Sequence, residues 1–276
     1  GWRDVLEEIF RSHSPQAEPG FFSFERQGDF FLVSAPNGLK VFWPVEFDPA
    51  NLGIWYTEVF GEAGCIYEYP GKVEVKPGDW VVDGGACEGF FSLYCLTKGA
   101  VVLAVEPNPR MAQALKNTLK PYIEEGRAKV VQAALGEKEE ETELVLNYRN
   151  VGASSLIPDP SRGSSRVRVS VVPLDRLLEK EKIPRVDFVK LDVEGAEREV
   201  IRGAKELVCH QEPRWAIACY HRRDDPEILP TLLMEFCPSY HTFTRGAVVG
   251  TFFEAGPPYL RPLVLFADQE PQPKRP

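Results

Sequence analysis

The sequence predicts an α/β fold: a mostly parallel central sheet with C-terminal antiparallel strands and a strand-rich N-terminal extension. Three observations predict it. From Trp80 onward, short apolar runs alternate with segments of helical periodicity, the pattern of strand–helix–strand units in a parallel sheet. The first strand runs into VVDGGACEGFFSL, which places three glycines in six positions between a strand and a helix. After the last helical segment come two predicted strands, around His241–Val249 and Arg261–Phe266, that read as a terminal antiparallel pair.

In chain order, the first ~70 residues read as a short helix around Val5–Phe10 followed by strands. FFLVSA and LKVFWPV flank Pro36-Asn37-Gly38, a good hairpin turn. NLGIWYTEVF and GCIYEYP follow among these strands, ending at the Pro77-Gly78 turn. DWVVD is then a strand, GFFSLYCLTK a helix, AVVLAVE a strand, PRMAQALKNTLKPYI a helix and RAKVVQAAL a third strand. A polar insert, about 136–168, carries a strand at ETELVLN and interrupts the alternation. RVSVVPL, the helix DRLLEKEK and the buried strand VDFVKLD come next, then the helix AEREVIRGAKELV, the strand RWAIACYH and the helix DPEILPTLLMEF. The expected division is an extension over 1–70, a main domain over 71–268 and a disordered, proline-rich tail over 269–276.

Composition bounds the function. Hydrophobic content of 43% and charged content of 26% are those of an ordinary globular chain. No apolar run reaches the ~18 residues of a membrane span, and no signal-peptide pattern opens the sequence. A net charge of −9 argues against nucleic acid as a partner. The six cysteines are scattered without a CxxC, so neither a zinc site nor a disulfide framework is expected, and the reading is a cytoplasmic protein. The aromatic-rich N-terminal part suits packing on a second subunit, which leaves an oligomer open.

The glycine turn lacks the dinucleotide pattern GxGxxG and the phosphate loop GxxxxGK[ST], which argues against a nicotinamide-dependent oxidoreductase. The pattern present is acid-led: Asp83-x-Gly85-x-Cys87-x-Gly89. An acid at the strand end suits a ligand with positive charge, such as S-adenosylmethionine with its sulfonium and ammonium groups. Glu106 closes the next strand, where a carboxylate accepts hydrogen bonds from both ribose hydroxyls. The alternative is a turn that serves tight packing, with Glu106 capping the helix after Pro107.

On VKPGDWVVDGGACEGFFSL, AVEPNP, VDFVKLDVEGAEREVIRGA and AIACYHRRDDPEILP, the chain resembles the FkbM family of class I, Rossmann-like methyltransferases. The resemblance covers roughly Tyr67 to Phe236, with Cys87 standing where the family's DxGANxG motif carries Asn. It implies an S-adenosylmethionine-dependent enzyme that methylates a hydroxyl of a small-molecule or glycan acceptor: a sugar, glycolipid or natural product. It implies that Asp83, Gly85, Ala86 and Gly89 surround the methionine part of the cofactor. Glu106 would hold the ribose, Pro107 and Asn108 would shape the adenine edge, and Ala133, Ala134 and Leu135 would flank the base. Asn150–Ser155 would fold over the site with Ser154 near the substrate.

Three groups carry the candidate chemistry. Asp192 and Glu194 end the fourth strand, two residues apart, as a general base or as oxygen ligands for Mg²⁺. Asp192 also counts among the cofactor-binding candidates, and both acids have a structural alternative in orienting the turn and capping the next helix. His221 lies just past an apolar strand, at the expected mouth of the sheet, where an ordinary histidine near neutrality suits a general base. Tyr220 and Arg222 flank it as substrate contacts, and Asp224 or Asp225 is the expected N-cap of the helix that Pro226 opens. A non-catalytic module that binds the cofactor or a partner would keep Asp83 and Glu106 but have no need of a base.

Overall fold

A computed structural model of the chain describes residues 21–156, 165–250 and 259–269. The expected helix around Val5–Phe10 and all but the first residue of the expected tail lie outside these residues.

The chain enters as a three-stranded antiparallel sheet of β1 (Ser23–Gln27), β2 (Phe30–Ser34) and β3 (Lys40–Pro44). The β2–β3 hairpin closes around Pro36-Asn37-Gly38, where the Ala35 N–H donates to the Leu39 carbonyl at 2.8 Å. NLGIWYTEVF, expected among the strands, is a helix, α1 (Leu52–Phe60). Leu52, Tyr56 and Val59 recur at helical spacing and are buried, so packing on the aromatic cluster around Phe90 overrides the strand preference of aromatic and branched residues.

The main sheet has seven strands. Five are parallel: β4 (Trp80–Gly84), β5 (Val101–Val105), β6 (Ala128–Val131), β10 (Phe188–Leu191) and β11 (Arg214–Ala218). The long pair β12 (Tyr240–Gly250) and β13 (Tyr259–Gln269) completes it antiparallel, giving the order β12-β13-β11-β10-β4-β5-β6. Alternation along each strand sends residues to opposite faces. Val81, Val102, Phe188 and Ala216 pack under α2 (Phe90–Thr97) and the N-terminal part, while Val82, Leu103, Val189 and Trp215 face the other helices.

Three expected elements are broken in two. PRMAQALKNTLKPYI is α3 (Pro109–Thr118) and the short α4 (Lys120–Glu124), because Pro121 has no N–H to continue the ladder. RAKVVQAAL leaves the main sheet after β6 and continues as β7 (Ala134–Gly136). β7 pairs with β9 (Arg166–Pro173), which also pairs with β8 (Glu140–Val145), so the polar insert forms a separate small sheet. AEREVIRGAKELV is α6 (Glu197–Arg202) and α7 (Lys205–His210), following α5 (Leu174–Glu181). The break falls at Gly203, where a Cβ would lie 2.0 Å from the Gly136 carbonyl oxygen; the helix bends to let β7 approach. The last helix is α8 (Asp225–Phe236), with Asp224 at its N-cap but making no side-chain capping bond. The Asp225 carboxylate instead accepts from the Arg222 N–H at 2.7 Å. Among the described residues no helix is long and apolar enough to cross a membrane.

Candidate active site

The carboxyl ends of β4, β5 and β10 converge where ligands of open α/β sheets bind. At the end of β4 the chain turns through Gly85, whose φ of +74° is open to glycine. A Cβ there would lie 1.8 Å from the Asp192 carbonyl oxygen, so the two strand ends touch through bare backbone. Gly89, at φ +91°, starts α2 and has no room for a Cβ beside Leu115. Cys87 takes φ +44° and Glu194 φ +55°, conformations that side chains other than Asn or Asp rarely adopt.

Two recesses meet at this point. The first, with about 570 Å³ of space counting its open mouth, lies between the glycine turn, the end of β5 and the insert; Gly85, Glu106, Pro107, Ala133, Ala134 and Ser154 line it. Glu106 is buried and accepts the Cys87 N–H through Oε2 and the Asn108 N–H through Oε1, both at 2.9 Å. Burial pushes its carboxyl up to about 7. The second, about 870 Å³, is bounded by α1, Tyr67, the glycine turn, Asn150–Ala153 and Tyr220. Asp192 and Glu194 line both, as do Gly85, Cys87 and Gly152, and these residues form the partition between them.

Several other expected site residues stand behind these walls. Asp83 is wholly buried beneath the turn, paired with the Lys190 ammonium at 3.1 Å and accepting the Ser92 hydroxyl at 2.7 Å; it lines neither recess. Lys190 in turn donates to the Gly85 carbonyl at 2.7 Å, so the pair anchors the turn from below. Asn108 caps α3 with its side chain, accepting the Arg110 and Met111 N–H groups. Ala86 lines the second recess. Arg222 faces away, bonded to Glu199 at 3.0 Å.

His221 departs from the expectation of an ordinary histidine at the mouth of the sheet. It is 1% exposed, with Nδ1 2.9 Å from Glu197 and Nε2 3.5 Å from both Asp192 and Glu194. Burial opposes its charge, but Glu197 and Glu194 outweigh burial and hold its pKa well above the usual value. Enclosed by carboxylates, the ring favours its protonated form, in which it is a poor base. Asp192 and Glu194, with side chains 20% and 18% exposed, reach the recesses themselves. Asp192 also accepts the Tyr67 hydroxyl at 2.7 Å and stands 3.4 Å from that of Tyr220.

Several site residues escaped sequence reading. Trp55, Glu58, Tyr67 and Glu88 all line the second recess. A lone Glu in the apolar run GIWYTEVF was the available signal for Glu58. Burial, reinforced by Asp192, pushes Glu58 up to about 8, and burial pushes Glu88 up to about 7.

A family model described as the methyltransferase FkbM domain matches residues 83–242, more than half of the chain, from the acid under the glycine turn into β12. The chain belongs to the FkbM methyltransferase family. Among curated relatives, the hexuronic acid methyltransferase AglP of Haloferax volcanii is 26% identical over 59% of this chain and 64% of its own length. The methyltransferase sdnD of Sordaria araneosa is 28% identical over 46% of this chain and 61% of its own length. The chain thus spans less than two thirds of the curated relatives it matches. A solved FkbM methyltransferase from Methylobacillus flagellatus KT superimposes with a TM-score of 0.53 at 22% identity, over 77% of this chain and 47% of that one. That likeness establishes a shared fold. The FkbM domain supplies the whole first recess; Trp55, Glu58, Val59 and Tyr67 join the second from outside it.

Proposed function

We propose that the chain transfers a methyl group from S-adenosylmethionine to a hydroxyl of a small, sugar-like or natural-product acceptor, with Asp192 taking the proton. The observation that carries this reading is the position of Asp192: beside Glu194 between two recesses that open at the glycine turn, and bonded there to the Tyr67 hydroxyl.

The first recess fits a nucleoside. Apolar residues, among them Val105, Pro107, Ala133 and Leu144, offer flat walls to a base, and the Glu106 carboxylate faces the same space as an acceptor for ribose hydroxyls. Bare backbone at Gly85 leaves room for the chain that joins nucleoside to amino acid. When bound, S-adenosylmethionine supplies an electrophilic methyl on a cationic sulfur. The protein then aligns an acceptor oxygen in line with that methyl at ~3 Å and accepts its proton. Asp192 is held for this by the Tyr67 hydroxyl, and Asp192 and Glu194, which line both recesses, suit the net positive end of the cofactor. His221 acts through its neighbours: as an imidazolium it fixes Asp192 and Glu194 and offsets their charge.

Ligand atoms of Asp192, Glu197 and His221 lie within 4.8 Å of one another, close enough to hold one ion. The donor set does not favour Mg²⁺, which prefers oxygen ligands to an imidazole. The reading therefore assigns no step to Mg²⁺. Family membership and the relatives' names support methyl transfer; the acceptor and the donor rest on this geometry.

Calorimetric titration with S-adenosylmethionine, its demethylated product and NADH tests the donor, and release of the demethylated product tests transfer. Asp192→Asn should bind the donor within a few-fold of wild type and lose about 10²–10⁴ in kcat, and EDTA should change neither. Failure of the folded wild type to bind S-adenosylmethionine would overturn the reading.

A further inference from the structure

We propose that the second recess is the acceptor site, that Glu58 of α1 sets its selectivity, and that it takes an uncharged polyhydroxylated acceptor in preference to one bearing a carboxylate. This rests on the methyl-transfer reading above. The two recesses differ in origin: every residue lining the first lies within residues 83–242, whereas α1 and Tyr67 reach the second from outside the family domain. A shared donor with differing acceptors predicts that division of labour.

Charge defines what the recess accepts. Glu58, Glu88, Asp192 and Glu194 all line it. Its one lysine, Lys190, is already committed to Asp83 and to the Gly85 carbonyl. No arginine lines it among the described residues. Near neutrality an acceptor carboxylate would enter against the charge of Asp192 and Glu194, joined by Glu88 and Glu58 as pH rises through about 7 and 8, whereas hydroxyl groups would find acceptors on several sides. The Glu58 carboxyl, pushed up to about 8 chiefly by desolvation, can in its protonated form both donate to and accept from a hydroxyl. Trp55 adds an apolar indole wall for the ring C–H groups. Gly152 of the insert lies against that indole, where a Cβ would stand 2.8 Å from Cζ2, so the insert and α1 close the recess together. The Haloferax volcanii relative is named for a hexuronic acid; the acidic recess here points to a neutral ring.

The test pairs p-nitrophenyl glucoside with the glucuronide, and the galactoside with the galacturonide, each supplied with S-adenosylmethionine. Release of the demethylated product is read at pH 7 and 8.5. Wild type should turn over the neutral member of a pair at least about tenfold faster, a difference near 1.4 kcal/mol. Glu58→Arg should reverse or abolish that ratio, and Glu58→Gln, the near-isosteric control, should lower it at pH 8.5, where wild-type Glu58 is ionised. Calorimetric affinity for S-adenosylmethionine should stay within twofold in both variants, with circular dichroism as the folding check. Preference for the uronide, no discrimination, or no turnover of any neutral member would overturn the proposal. So would Glu58 variants that weaken S-adenosylmethionine binding while leaving the ratio unchanged, since Glu58 would then belong to the donor. No donor binding by wild type would instead overturn the underlying methyl-transfer reading.

Discussion

Replacing Lys190 by methionine would remove the only cation under the glycine turn among the described residues. The Lys190 and Asp83 side chains are 6% and 0% exposed, with Nζ 3.1 Å from Oδ1. Removing one partner of a buried pair costs about 3–5 kcal/mol, because the other charge is left without compensation. The Gly85 carbonyl, bonded to Nζ at 2.7 Å, loses its donor as well, a loss that overlaps with the first rather than adding to it. Against a total stability of about 5–15 kcal/mol, Lys190→Met should therefore shift the urea midpoint strongly. The double variant Asp83→Asn with Lys190→Met should recover at least half of the loss, since it removes the orphaned charge and keeps an amide oxygen that accepts the Ser92 hydroxyl. The sign with pH is definite. Burial lowers the Lys190 pKa, but Asp83, Asp192 and Glu88 together raise it above the ordinary value. The stabilisation is thus complete below the unfolded pKa near ~10.4 and is lost as pH rises through the higher folded value. Urea unfolding followed by tryptophan fluorescence at pH 7 measures all three proteins. A cost below about 1 kcal/mol for Lys190→Met, or a double variant no better than the single one, would refute the account of the turn as anchored by this pair.

Gly85→Ala should weaken S-adenosylmethionine binding roughly tenfold or more in calorimetry, because the new Cβ meets the Asp192 backbone at 1.8 Å and nothing flexible stands there to yield. His221→Phe should lower the melting temperature as well as turnover, since it leaves Asp192, Glu194 and Glu197 facing one another; unchanged stability with lost turnover would restore His221 as a base. Glu58, Glu88 and Glu106 have folded pKa values raised to about 8, 7 and 7. They bind more protons folded than unfolded, so their contribution is full below the unfolded value near ~4.3 and is lost as pH rises through 7 to 8. Calorimetric melting of Glu106→Gln should accordingly gain on wild type at pH 8 relative to pH 5. Cys87→Asn should stabilise the protein by up to about 1 kcal/mol, because asparagine tolerates the φ of +44° at that position better than cysteine; a fall in melting temperature would contradict this.

Much of the scaffold was legible in local pattern. The β4, β5, β10 and β11 runs and the helices that follow β4 and β5 are near their expected positions, because each announces itself through short-range periodicity. The misreadings share one cause. α1 is made of residues that favour strands, and only its packing on the Phe90 cluster makes it a helix. The break at Gly203 answers to the Gly136 carbonyl, which lies far away in sequence, and the strand RAKVVQAAL divides because β9 returns to pair with its second half. No local window contains those partners.

The site divides along the same line. The acids at the strand ends, the glycine turn and the family they mark were determined by the sequence alone, since strand–turn–helix spacing is a local property of the chain. Which of those acids faces a ligand was decided only in three dimensions. Asp83 and Asp192 look alike as strand-end acids, yet Lys190 claims the first beneath the turn and the second opens onto both recesses. His221 looked like a base until three carboxylates from elsewhere in the fold enclosed it and kept it protonated. Charge state depends on burial and on neighbours brought together by folding, and neither is written in the order of residues.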